Sequence, residues 1–125
     1  MEKENELIRI LEGEFIRPVF QPIVSLRTGD VLGYEALSRI TLPDSTLNIE
    51  ELFHLASERK RLWELEKLCR KKALEAAIDK PLRTKLFLNV DANIIHDPDL
   101  KSGFTWQQLA QFKIDPEDIV FEITE

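Results

Sequence analysis

Apolar positions along this chain switch between a period near 3.6 and a period near 2, and the switches mark out eight elements. Residues 3–12 place Leu7, Ile8 and Leu11 at helical spacing among charges, which predicts a short amphipathic lead-in helix. Phe20 to Ser25 and Val31 to Arg39 read as strands. Arg27-Thr28-Gly29-Asp30 between them carries turn chemistry, so the two strands are expected to form an antiparallel hairpin. Thr41 to Asn48, with Pro43-Asp44-Ser45, reads as a loop. Asn48 is placed to cap a helix, with Glu51 as its capping-box partner. That helix carries Leu52, Phe53 and Leu55 and ends near the charged run Ser57 to Arg61.

The strongest helical pattern is Leu62 to Ile78. Leu62, Leu65, Leu68, Cys69, Ala73 and Ala76 share a stripe, and Pro81 is expected to end the helix. Arg70-Lys71-Lys72 is read as a solvated helix face rather than an anion site. Lys85 to Val90 is nearly all apolar, the pattern of a strand buried on both faces. Asp97-Pro98-Asp99 is expected to open a helical turn, and Thr105 to cap a helix from Trp106 to Phe112. Asp118 to Thr124 is the last strand. Strands alternating with helices after a hairpin predict parallel strands joined by helical crossovers.

Three polar residues interrupt these apolar strands: Glu35, Asn89 and Glu122. A carboxylate in such a setting is costly unless it is paired or binds a cation. Three oxygen donors toward the C-terminal ends of three strands look like part of a hard-metal site. Taken singly, Glu35 reads as a salt-bridged strand residue, Asn89 as a loop hydrogen-bonder and Glu122 as an edge residue. Arg39 alone reads as an ordinary ion-pair partner and Gln21 as a solvent contact. His54 and His96 lie outside metal-ligand spacing and read as structural or surface residues.

Composition narrows the classes. The 125 residues are 43% hydrophobic, enough for one compact domain. A net charge of −6 argues against binding to nucleic-acid polymers or anionic membranes. The single cysteine, Cys69, excludes an intrachain disulfide and reads as a small core residue. No apolar run approaches a membrane span, and the acidic start Met-Glu-Lys-Glu-Asn-Glu is unlike a signal peptide, which leads to a cytoplasmic expectation.

Four segments follow one another in order: Gln21-Pro22-Ile23-Val24, Gly33-Tyr34-Glu35-Ala36-Leu37-Ser38-Arg39, Phe87-Leu88-Asn89-Val90 and Val120-Phe121-Glu122-Ile123-Thr124-Glu125. Together they resemble the EAL domain family, the bacterial cyclic-di-GMP phosphodiesterases. The resemblance implies that Glu35, Asn89 and Glu122 are ligands of a divalent metal, Mg²⁺ or Mn²⁺. It further implies that Arg39 holds a substrate phosphate, that Gln21 lines the nucleotide pocket and that Leu37 packs near the base or sugar. The family chemistry is hydrolysis of cyclic-di-GMP to pGpG. Two metal ions about 3.5–4 Å apart can stabilise both the attacking and leaving oxygens of such a reaction.

A (β/α)₈ barrel typically takes about 250 residues, so the expected fold is α/β: about half of an EAL-type TIM-like barrel, with an antiparallel first strand. The lead-in helix 3–12 would precede a half-barrel over residues 15–125 of one truncated domain. The family's later motifs, including an Asp-Asp pair and a Lys, have no counterpart in these 125 residues. The expectation is therefore one metal at most, little or no hydrolysis by this chain alone, and self-association to cover an open sheet. The competing expectation is a degenerate module that binds cyclic-di-GMP, or a protein partner, without catalysis.

Overall fold

The computed structural model describes residues 2–79, 84–100 and 103–124. Helix α1 spans Glu2–Gly13, with Glu2 and Glu4 in its first turn, where the helix dipole favours negative charge. Its buried stripe is Leu7, Ile10 and Leu11. Ile8, expected on that stripe, lies about 100° further round the helix and is exposed. Glu6 is buried beside the stripe and ties α1 to the loop before α2. Its two carboxylate oxygens accept from the Thr46 N–H at 2.6 Å and the Thr46 hydroxyl at 2.5 Å.

Strand β1 is Ile16–Val24 and β2 is Val31–Ile40, paired antiparallel as expected. β1 starts four residues before the expected Phe20. Pro18 and Pro22 lie within it, and proline is tolerated there because β1 is an edge strand. Helix α2 is Ile49–Glu58, opened by the Asn48 capping box: Asn48 Oδ1 accepts from Glu51 N–H at 2.8 Å and Glu51 Oε1 from Asn48 N–H at 3.2 Å.

Helix α3 spans Leu62–Asp79, and Pro81 lies outside the described residues. Its N-terminus is capped from a distance: the buried Asp97 carboxylate accepts from Trp63 N–H at 2.8 Å. Asp97 also opens the turn expected at Asp97-Pro98-Asp99. A 3₁₀ run at Ala92–His96 comes before it, and one i to i+3 bond, Leu100 N–H to Asp97 O, follows. Lys71 and Lys72 pair with Glu14, but Arg70 is buried, which corrects the solvated-face reading of this cluster. Position 70 follows Glu66 by one turn and Trp63 by two, so it shares the inward side of the helix.

Strand β3 is Lys85–Asp91, α4 is Phe104–Gln111 and β4 is Ile119–Thr124. α4 starts behind Gly103, whose φ of 81° suits glycine, and no side chain among the described residues caps it. Thr105, expected as that cap, is one residue inside the helix and accepts a hydrogen bond from Arg70 instead. A 3₁₀ turn, Pro116–Asp118, precedes β4 and takes up Asp118.

The sheet order is β1-β2-β3-β4, with β2/β3 and β3/β4 parallel. The crossovers are α2–α3 and α4, in keeping with the alternation of strands and helices. Leu86 and Leu88 turn one face of β3 toward α3 and α4, where they pack with Ala73, Leu74 and Leu109. A second cluster joins α1, α2 and the first half of α3 around Leu52, Leu62 and Leu65. Phe87 and Asn89 point to the opposite face and are only half-buried. The expectation that β3 is buried on both faces is thus corrected: among the described residues, helices cover one face alone.

Candidate cation site on the open face of the sheet

Glu35, Asn89 and Glu122 meet on that second face. Register accounts for this. In the parallel pairs Glu35 lies opposite Phe87 and Asn89 lies opposite Glu122, so side chains from three adjacent strands share one surface. Gly33 makes the first pairing close enough. A Cβ at Gly33 would sit 2.4 Å from the Lys85 carbonyl oxygen and 2.7 Å from the Phe87 ring. Any larger residue would push β2 away from β3 two positions before Glu35.

Asn89 Nδ2 donates to Glu35 Oε2 at 3.1 Å, and the Glu122 carboxyl is within hydrogen-bonding reach of Glu35. Loss of water around it, and then the neighbouring Glu35 carboxyl, hold the Glu122 carboxyl above the usual carboxylate range. Glu122 Oε1 is enclosed and has no hydrogen-bond partner among the described residues. Two neighbouring carboxyls, one with an orphaned oxygen and both beside an amide, form a hard-oxygen donor set. Such a set fits one Mg²⁺- or Mn²⁺-like ion that keeps several waters. Among the described residues no group of three or more His, Cys, Asp or Glu is placed to hold a metal.

Of the other expected site residues, Leu37 and Arg39 continue along β2 on the same face as Glu35. They line a groove of about 770 Å³ together with Asn89 and, on its helical wall, Phe53, Glu66 and Arg70. Arg39 is exposed, donates to the neighbouring Ser38 carbonyl at 3.1 Å, and makes no ion pair among the described residues. Gln21 stands opposite Glu35 on β1, exposed at the sheet's edge strand and outside the groove. Glu125 lies outside the described residues.

Sequence reasoning missed the helical wall. Glu66 and Arg70 form an ion pair at 3.3 Å with both side chains 4% exposed. Burial lifts the Glu66 carboxyl to about 7, against the opposing pull of the Asp91 N–H and Arg70. The signal was present in the spacing: charges at 66 and 70 fall on the side of α3 that Trp63 and Ala73 bury. Cys69 beside them is no candidate nucleophile, because burial pushes its thiol up to about 12. His54 is exposed and pairs with Glu58, and His96 is exposed.

An antiparallel hairpin followed by parallel strands and helical crossovers defines a partial α/β barrel, here with two carboxyls and an amide gathered on its open face. A family model described as the EAL domain matches residues 4–125, and the chain belongs to that family. It is 30% identical over 133 residues to the uncharacterized proteins Rv1354c of Mycobacterium tuberculosis and Mb1389c of Mycobacterium bovis. That match covers 98% of this chain and 20% of those proteins. The FimX EAL domain from Pseudomonas aeruginosa, solved bound to c-di-GMP, is similar at a TM-score of 0.77 and 27% identity, over 98% of this chain and 50% of that one. Klebsiella pneumoniae BlrP1, solved as a calcium/cyclic-di-GMP complex, matches at a TM-score of 0.69 and 24% identity, over 90% of this chain and 28% of that one, a likeness of fold alone. The chain thus spans about a fifth of the length of these curated relatives and half of the FimX EAL chain, so its fold is about half of an EAL-type TIM barrel. Among the described residues no helix is long and apolar enough to cross a membrane.

Proposed function

We propose that this chain carries the first-half ligand set of a cyclic-di-GMP-directed EAL domain, and that by itself it binds the nucleotide rather than hydrolysing it. Glu35, Asn89 and Glu122 hold one divalent ion, Mg²⁺ or Mn²⁺. Arg39 offers its planar fork to a phosphate. Leu37 lies against the base or sugar, and Gln21 borders the site from the edge strand. One observation carries the reading: Asn89 bonds Glu35 on an open face, beside a Glu122 carboxyl whose Oε1 has no partner among the described residues, in a chain of this family. A bound ion supplies positive charge that polarises a phosphodiester oxygen and a coordinated water. Two carboxylates and one amide serve one ion, and a second ion needs further donors, so turnover is not expected from this set alone.

The reading includes self-association. β4 is an edge strand without proline, and Phe121 and Ile123 on it are exposed. An apolar edge of this kind invites pairing with another chain. A second copy of the chain laid against this edge and the open face would also shield the cation site.

Calorimetric titration with cyclic-di-GMP in Ca²⁺ and then Mg²⁺, followed by chromatography for pGpG, tests the nucleotide reading. Binding by the wild-type chain, weakened in Arg39→Ala and without pGpG, is the expected result. Formation of pGpG would contradict the noncatalytic part, and no binding in either metal would contradict the nucleotide part. Sedimentation at rising concentration tests the assembly, and a monomer throughout would remove it.

A further inference from the structure

The inward side of α3 carries a polar row that lies behind the cation site rather than in it. Glu66 and Arg70 stand one turn apart and pair at 3.3 Å. Glu66 Oε1 accepts from the Asp91 N–H at 2.9 Å, and so reaches the last residue of β3, two positions beyond Asn89. Arg70 donates to the Thr105 hydroxyl at 3.1 Å, and its guanidinium lies 5.4 Å from the centre of the Phe121 ring, next to Glu122 in β4. One turn earlier, Trp63 N–H donates to Asp97. Successive turns of α3 thus reach the end of β3 at Asp91, Asp97 beyond it, and Thr105 in the first turn of α4.

A buried ion pair is a poor device for stability alone, since apolar residues of similar volume usually serve as well or better. Its neighbours Trp63 and Ala73 show that this side of α3 accommodates such residues. An apolar side chain, however, cannot accept from the Asp91 N–H, which would then be a half-buried donor without a partner. Metal ligands must be held to about 0.5 Å by the shell around them, and outer partners of this kind matter nearly as much as the ligands. From this geometry we infer that Glu66, with Arg70 as its counterion, is a positioning residue that fixes Asn89 and Glu122 against Glu35. This inference deepens, and rests on, the cation-site reading of the preceding subsection.

Three variants test it. Glu66→Leu removes the acceptor, and Glu66→Gln keeps an acceptor without the charge. Asp91→Pro removes the donor at a residue whose φ of −73° already suits proline. The readouts are Mn²⁺ affinity, from the electron paramagnetic resonance of free Mn²⁺, and the NMR signals of the Asn89 side-chain amide, which report the arrangement without metal. Glu66→Leu and Asp91→Pro are expected to weaken Mn²⁺ binding about tenfold or more. They are also expected to shift the Asn89 amide signals and leave the remote Thr46 N–H in place. Glu66→Gln is expected to stay close to wild type in both readouts.

Asn89 signals that do not move in folded Glu66→Leu or Asp91→Pro protein overturn the inference. So does a Glu66→Gln variant as damaged as Glu66→Leu. Should Glu66→Leu fail to fold, Asp91→Pro and Glu66→Gln decide on the same readouts. If wild-type chain binds no Mn²⁺, the cation reading fails, and the Asn89 signals alone then decide the positioning role.

Discussion

The two faces of the four-stranded sheet do different work. One face sends Leu86, Leu88 and Ile119 into a packed layer against Ala73, Leu74 and Leu109. The other sends Glu35, Asn89 and Glu122 into a half-buried surface where one carboxylate oxygen lacks a partner. Alternate residues of one short strand serve both purposes, because side chains along a strand point to opposite faces. The packed face contributes the folding energy. The open face holds groups whose mutual repulsion costs stability, and a cation would relieve it.

The sharpest way to break this comparison is to truncate neighbours on β3. Leu88 is 3% exposed on the packed face, so Leu88→Ala should cost about 2–5 kcal/mol in urea denaturation. Phe87 on the open face is half-buried, and Phe87→Ala should cost less than Leu88→Ala despite removing more atoms. Equal or greater loss at Phe87 would mean that the open face is covered in the folded protein, as a second copy of the chain would cover it.

The helical wall gives the next effect. Glu66 stands at about 7 in the folded chain, above an ordinary value of 4.5, because burial disfavours its charged form. The folded chain therefore holds a proton that the unfolded chain releases across this window. Stability from this group is fully present below about 4.5 and is lost as pH rises to about 7. Arg70 on its own helix and the Asp91 N–H at the end of β3 face Glu66 and work against this effect of burial without cancelling it. The expected decline is about 2–3 kcal/mol, read from denaturation midpoints at pH 5 to 8. Glu66→Gln should flatten that slope, and an unchanged slope would assign the effect to another group.

A smaller effect sharpens the contrast from the open face. Gly33→Ala places a methyl group against the Lys85 carbonyl and the Phe87 ring. It should cost about 1–3 kcal/mol and loosen the Glu35–Asn89 contact, which the Asn89 side-chain NMR signals would report. A neutral substitution would show that β2 and β3 can part without disturbing the site.

Much of this was legible in the chain. The alternation of strands and helices, the Asn48–Glu51 capping box and the hairpin turn all follow from local patterns, which local physics decides. Glu35, Asn89 and Glu122 stood out because a polar residue in an apolar strand needs a reason. The misses have a common cause in contacts remote in sequence. Asp97 reads only as the opening of a turn, because its service to Trp63, 34 residues away, leaves no local trace. Thr105 looked like a cap because Arg70, 35 residues away, claims its hydroxyl. The apolar run at β3 looked buried on both sides because composition does not say where helices will lie.

The central claim is that Glu35, Asn89 and Glu122 form one cation site, and a Mn²⁺ titration followed by electron paramagnetic resonance tests it most directly. It is run on the wild-type chain, on Glu35→Gln and Glu122→Gln, and on the loop variant Asp44→Asn as a control. The account predicts one Mn²⁺ per chain in wild type and Asp44→Asn, with affinity lowered at least tenfold in both glutamine variants. No bound Mn²⁺ in the wild-type chain, or equal affinity in all four proteins, would contradict it.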